Sequence, residues 1–335
     1  LNPLSPEWWR EIVAEACRAP SAHNVQPARW RFGPGRRVEL LRARDRTLPA
    51  GDPSGRDIRA SVGAAFEGTA LALSRRGFGL TEPVLTDEWV GPNLRLVAIA
   101  HLMDDVAEDP LAQWAERRRA FRGVFAHASH DVVRAIQGLE AEDARVITAG
   151  GDITRLARAY DAAHLGFLAR PEFEAELYEW LRLLKSHPDR DRDGLTAPCL
   201  ALSPFQAWLG HQLLRPDRFR WVRRFGLAGA LLSEAVPIRS AAALILFAPP
   251  REDDPFYAGR RLYRLWLEVT RVGCALCPLT SLADDESTAR DIARRFAIPA
   301  VRRLANVFRV GVAPREPGRS PRLPVDELIV GRTES

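Results

Sequence analysis

The chain has 335 residues, 46% hydrophobic and 27% charged, which excludes global disorder and allows a large core without covalent staples. A formal net charge of +5 and a pI near 9.4 favour anionic small ligands. The excess is thin over this length and no zinc-finger or RNA-binding pattern accompanies it, so nucleic acid is not the expected partner. Four cysteines are too few for a disulfide scaffold, and no apolar run is long enough for a membrane span, so a cytoplasmic protein is expected.

Glu7 to Arg18 carries apolar residues at Trp8, Ile12, Val13 and Ala16, a helical spacing. The stretch APSAHNVQPARWRF follows at residues 19–32. Its prolines and small polar residues predict a turn, leading into strands at Arg29–Phe32 and Val38–Leu41. Asp57–Arg76 is predicted helical, Leu94–Ala100 a strand, and the acidic residues 104–109 a linker. ERRRAFRGVF, residues 116–125, crowds Arg117, Arg118, Arg119 and Arg122. On a helix Arg118 and Arg122 share a face, and paired guanidiniums suit a phosphate; an exposed basic face is the plainer reading. Arg145–Thr148 is a strand candidate and Ile153–His164 a helix. Residues 165–238 form an irregular helix-and-loop insertion, either a lid or a surface embellishment. Its basic, aromatic RPDRFRWVRRF is read as an amphipathic helix with solvated arginines. Ala241–Phe247 is a buried strand, Tyr257–Val272 a helix and Asn306–Val312 a strand. Arg319 and Arg322 lie in a basic segment near the end, REPGRSPRLPVDELIV.

No dinucleotide-binding, P-loop or nucleophile-elbow pattern is present. HASH, residues 127–130, lacks a third ligand and reads as two loop histidines; no metal is expected. Cys274 and Cys277 follow a helix end rather than opening one, which favours two partly buried thiols over a redox pair. One internal similarity stands out. GAAFEGTALALSRRG (63–77) and GRRLYRLWLEVTRVG (259–273) each place a glycine at the start of a helical stretch and another fourteen residues later, with a strand further on. Such a long period points to a duplicated α+β unit.

Taken together, these pieces resemble the flavin-dependent nitroreductase superfamily, and within it the single-chain tandem branch that includes the Acg-type proteins. APSAHNVQP resembles the family's APSxxNxQPW turn. Arg117, Arg118, Arg122 and Phe125 match the tandem branch's basic motif. AGRRLYRLWLEVTRVGCALCPL resembles the family's helix and Pro-Leu/Ile loop, and RLPVDELIV its closing segment. Three departures accompany the match: QPW is QPARW, with Trp30 two residues late; a phosphate-site Ser is Ala120; and a C-terminal Lys is Ser320.

The resemblance implies an α+β nitroreductase-like fold whose tandem halves form an intramolecular pseudo-dimer. Residues 1–109 would be the first half, and 110–335 the second, with a lid at about 165–238. It implies FMN bound between the halves. Pro20, Ser21, Asn24 and Gln26 would edge the flavin. Arg118, Arg122, Arg319 and Arg322 would hold its phosphate. Pro278, Leu279, Thr280 and Ser281 would run beside the ring and offer backbone N–H groups. The implied activity is that of an oxidoreductase moving hydride through flavin N5 to or from a small organic molecule, with NAD(P)H as a donor; the alternative is a flavin-storage protein closed by its lid. No catalytic acid or base is implied. His23 is the candidate to touch a substrate, against a structural role in the turn. The chain would work as a monomer or a homodimer.

Overall fold

Ser5 accepts the Trp8 N–H and starts helix α1 (Pro6–Ala16), which buries Trp8, Trp9, Ile12, Val13 and Ala16. A 3₁₀ turn (Ala22–Asn24) leads to strands β1 (Ala28–Gly33) and β2 (Arg37–Ala43). Helix α2 (Arg56–Ser74) follows, then β3 (Gly79–Leu80), β4 (Val84–Trp89) and β5 (Leu94–Met103). These strands make one antiparallel sheet in the order β1-β2-β5-β3, with β4 also pairing along β5. The structure is a computed structural model and describes residues 4–331; residues 1–3 and 332–335 of the two expected halves lie outside the described residues.

The chain continues through a 3₁₀ turn (Ala112–Trp114), α3 (His130–Gln137), β6 (Ala144–Ile147) and α4 (Gly150–Leu168). The insertion then runs through α5 (Pro171–Glu179), the short parallel pair β7 (Leu181–Arg182) and β8 (Leu195–Thr196), α6 (Pro204–Leu213), α7 (Pro216–Arg224), α8 (Ala228–Leu232) and α9 (Ala235–Arg239). After it come β9 (Ala243–Phe247), α10 (Pro255–Arg271), β10 (Ala275–Pro278), α11 (Ser281–Asp284), α12 (Glu286–Arg295), β11 (Asn306–Gly311) and α13 (Val325–Leu328). A second antiparallel sheet has the order β6-β9-β11-β10. The fold is α+β, as the sequence implies.

Read from β1 and from β6, the two sheets have the same strand order, and each has its long helix between its second strand and its edge strand. Those helices, α2 and α10, cross at two glycines. A Cβ on Gly63 would lie 1.9 Å from the Phe256 carbonyl oxygen, and one on Gly259 would lie 1.8 Å from that of Ala60. Position 63 meets 256 while 259 meets 60, so the contact is reciprocal, as across a two-fold axis. The glycines sit inside the helices rather than at their starts, where the backbones must touch. The closing glycines take left-handed φ, +79° at Gly77 and +76° at Gly273, where a side chain would strain the helix end.

Residues 116–125 are not helical. Phe121 donates its N–H to the Leu276 carbonyl and Ala126 donates to that of Val312, so the segment is pinned to the second sheet at two points. The chain end crosses the other way. Leu323 and Leu328 enter the first core, and Val330 donates to the Trp30 carbonyl. Trp30 is buried and donates its indole N–H to Thr69 at 2.8 Å. Among the described residues no helix is long and apolar enough to cross a membrane.

Candidate functional site

The turn after α1 is clamped from three directions. Within it, Ser21 Oγ accepts the Gln26 N–H at 3.1 Å. Asn24 Nδ2 donates to the carbonyls of Gly194 at 3.2 Å and Pro321 at 3.1 Å, reaching both the insertion and the chain end. Gln26 does the same, donating to the Arg192 carbonyl at 2.9 Å and accepting the Leu323 N–H at 2.8 Å. At the start of α2, Ser61 Oγ accepts the Ala22 N–H at 3.2 Å. Pro20 and Ser21 line a small cavity of about 20 Å³ with Cys17, Trp30 and Ser61, room for about one water.

Arg322 holds this turn to the end of α1. It donates to the Cys17 carbonyl at 2.6 Å, to Asn24 Oδ1 at 2.8 Å and to the Arg18 carbonyl at 3.1 Å. Its guanidinium is therefore largely committed to protein oxygens. Arg118 donates to the same Arg18 carbonyl at 2.8 Å and lies 4.6 Å over the Trp266 ring. Burial pushes Arg118 down to about 10, with Arg322 and Arg119 adding like charge. Burial likewise lowers Arg119, which lies in the field of Arg319, Arg322 and Arg18. Five guanidiniums thus share one region: Arg18, Arg118, Arg119, Arg319 and Arg322. Their acidic neighbours are Glu116, 3.3 Å from Arg18, and Glu316, near Arg119. The Nε atoms of Arg118 and Arg119 are buried without a hydrogen-bond partner. This donor set suits a phosphate monoester, which brings negative charge and several acceptor oxygens.

Arg122 is elsewhere. Its Nη1 reaches Cys277 Sγ at 3.8 Å, beside β10, and its charge falls on His23. The four residues after Cys277 lie close by. Leu279 donates its N–H to the Val307 carbonyl at 2.7 Å and is not free; the N–H groups of Thr280 and Ser281 have no backbone acceptor among the described residues. Pro278 is half-buried at the end of β10. His164, on α4, places Nδ1 3.3 Å from Ser281 Oγ and stacks on Tyr160, ring centroids 5.4 Å apart. His23 faces this group from the turn. Burial, then Arg122 and His164, push it down to about 4, so it is neutral at physiological pH. Burial also lowers His164 and raises Tyr160 and Glu234.

The proposed residues therefore fall into two neighbourhoods. Arg118, Arg319 and Arg322 share the cationic one, joined through Arg322 to Asn24, while Arg122, Pro278–Ser281 and His23 form the other. Arg18 and Arg119 join the first. Both flank motifs visible in the sequence, and their charge was the only signal. His164 and Tyr160 join the second from α4, about 140 residues from His23 in sequence, and nothing local marks them. Cys274 and Cys277 are buried free thiols. Among the described residues no group of His, Cys, Asp and Glu could hold a metal.

The insertion packs over the turn. Asp193 joins Arg182 at 2.8 Å and also Arg46, all three little exposed. Glu176 accepts the N–H groups of Ala50 and Gly51, both at 2.8 Å. Cys199 Sγ donates to the Arg319 carbonyl at 3.1 Å. Loop 189–194 thus sits directly on Asn24 and Gln26.

No family model matches the chain. Curated relatives do, along nearly its whole length. "Putative NAD(P)H nitroreductase Rv3131" of Mycobacterium tuberculosis is 27% identical over 331 residues, 95% of this chain and 89% of the relative. The uncharacterized protein Rv3127 of the same organism is 28% identical over 338 residues, 96% of this chain and 92% of its own. "Putative NAD(P)H nitroreductase acg", also of Mycobacterium tuberculosis, is 25% identical over 345 residues, 96% of this chain and 94% of the relative. Among solved structures, the FMN-dependent nitroreductase NfnB of Mycobacterium smegmatis, crystallised with NADPH, is 19% identical, with a TM-score of 0.37 over 65% of this chain and 97% of that one.

Proposed function

We propose that this chain, similar along nearly its whole length to the single-chain, Acg-type proteins of the nitroreductase superfamily, is an FMN-dependent oxidoreductase acting on a small organic molecule. Bound FMN would supply hydride transfer through its N5, with NAD(P)H as electron donor and a nitro, quinone, conjugated or specialised-metabolite compound as partner. The observation that carries this reading is the guanidinium cluster of Arg18, Arg118, Arg119 and Arg319, with unpartnered buried Nε atoms, next to the Arg322-clamped turn. Arg118, Arg119 and Arg319 would bind the phosphate, and Arg322 would hold Asn24 and the turn in place. Arg122 and the free N–H groups of Thr280 and Ser281 would face the ring. Pro20 and Ser21 would edge it.

The chain is read as a duplicated unit, residues 1–109 and 110–335, forming a pseudo-dimer that works in the cytoplasm as a monomer or a homodimer. The shared strand order and the reciprocal glycine contact support this reading. A second reading is favoured by the insertion seated on Asn24 and Gln26: a flavin-storage protein whose lid shuts nicotinamide out.

The visible absorption spectrum of the purified protein, repeated after anaerobic addition of NADPH, tests both. Flavin bands that bleach quickly support the reductase. Bands that persist support storage or a dehydrogenase reduced by its own substrate. No bands after incubation with excess FMN would sink the cofactor assignment.

A further inference from the structure

Three of the four residues from His23 to Gln26 hold left-handed backbone without being glycine: φ is 44° at His23, 57° at Asn24 and 51° at Gln26. Non-glycine residues hold such backbone only where their surroundings fix it. Asn24 and Gln26 are fixed by their side chains, which tie the turn to residues 192–194 and 321–323. The His23 side chain contributes nothing to this clamp. Neither of its ring nitrogens makes a hydrogen bond among the described residues, and Nδ1 is buried without a partner. Its neighbours each make one contact of this kind, Arg122 Nη1 with Cys277 Sγ and His164 Nδ1 with Ser281 Oγ. His23 is thus the imidazole in this cluster with neither ring nitrogen bonded to protein, whereas His164 keeps a contact with Ser281. His23 is held neutral, so it offers one N–H and one lone pair.

We propose that His23 is a catalytic residue that touches the substrate, donating its imidazole N–H to an oxygen of a conjugated acceptor on which negative charge grows as the acceptor is reduced. A nitro group and a quinone carbonyl share this chemistry. The hydrogen bond polarises the oxygen and no proton leaves the ring, so the imidazole stays neutral throughout. Arg122 nearby disfavours a cationic ligand and favours an electron-rich one. The clamped turn then has a purpose: it holds one side chain out of the hydrogen-bond network and close to Arg122 and His164. The proposal rests on the oxidoreductase reading for the reaction, but not for the contact itself.

The test is a titration of the protein with 4-nitrobenzoate, read by NMR of the imidazole side chains and repeated on His23→Gly and His23→Asn. Glycine and asparagine both accept left-handed φ, so the turn is expected to survive, and thermal melting checks this. In the wild type the His23 resonances shift on titration, and His23→Gly binds the probe roughly 10-fold more weakly. In the FMN-loaded enzyme, kcat/KM for a nitro or quinone acceptor falls roughly 100-fold in His23→Gly, and added imidazole restores part of the loss. Equal probe affinity in wild type and variant, or a His23 resonance that does not move, overturns the proposal. A wild type that takes up no FMN overturns the oxidoreductase reading instead, and the titration on that flavin-free protein still decides the His23 contact.

Discussion

On β2 of the first sheet, Val38 and Leu40 face the core while Glu39, between them, pairs with Arg31 and Arg37. On β9 of the second sheet, Ile245 and Phe247 face α10 while the alternate residues Leu244 and Leu246 are also buried, under α4, α11 and α12. The same strand order therefore carries two burial schemes. The first sheet places a paired charge at Glu39, between its core-facing residues on β2. The second places leucines at the alternate positions of β9, and each gains about 1.5–3 kcal/mol only when covered. A three-residue loop suffices between β1 and β2, whereas β6 and β9 are separated by the long segment that begins with α4. The difference teaches that this segment is no loose appendage. Its first helix completes the second core and brings His164 and Tyr160 near Ser281, and its middle seats on the turn after α1.

The largest expected effect tests the likeness of the halves. Gly63→Ala and Gly259→Ala each force a backbone clash at the helix crossing and should each cost about 3 kcal/mol. Matched losses in urea unfolding sharpen the likeness; a much smaller loss at one position breaks it.

The next tests the difference. Asp193→Asn leaves Arg182 and Arg46 buried without their carboxylate, a loss of about 3 kcal/mol. Hydrogen exchange should show residues 181–201 opening well before either sheet; uniform exchange across the chain would show that the insertion is not a separable layer.

Cofactor stoichiometry is a third point. The cationic cluster is built once per chain, from Arg18, Arg118, Arg119, Arg319 and Arg322, so one FMN per chain is expected. Arg319→Ala, which removes an exposed member of that cluster, should weaken FMN about 10-fold by fluorescence titration. Two FMN per chain, or an unchanged affinity, would break the asymmetry.

The smallest effect lies where Asp52 and Asp57, around the start of α2, come close to Asp284 of α11. Burial and the carboxylates Asp57 and Asp52 push Asp284 up to about 8, and burial, then Asp52, pushes Asp57 up to about 6. Both are raised in the folded state, so their protonated forms favour folding at low pH. That contribution is lost as pH rises through about 6 and then about 8. The melting temperature should decline over that range, and Asp284→Asn should flatten the upper part of the decline.

Much of this was legible in the sequence because it is local. The apolar spacing of Trp8, Ile12, Val13 and Ala16 gave α1, and the apolar run before Pro249 gave β9, since side-chain periodicity follows backbone geometry directly. The glycines spaced fourteen apart marked α2 and α10 before their contact was visible. The basic stretch from Glu116 misled, because a run of arginines does not reveal that the backbone will pair with Leu276 and Val312 instead of with itself.

By itself, then, the sequence determined the α+β class, the turn at Pro20–Gln26, the basic segments and the place of the insertion. Each is written in neighbouring residues through backbone restriction, periodicity or charge. Only the tertiary structure decided that Arg122 parts from Arg118, that His164 comes to stand near His23, and that Asn24 and Gln26 grip chain segments roughly 170 and 300 residues away. Such pairings depend on which surfaces two sheets and an insertion bury against one another, and no short stretch of residues encodes them.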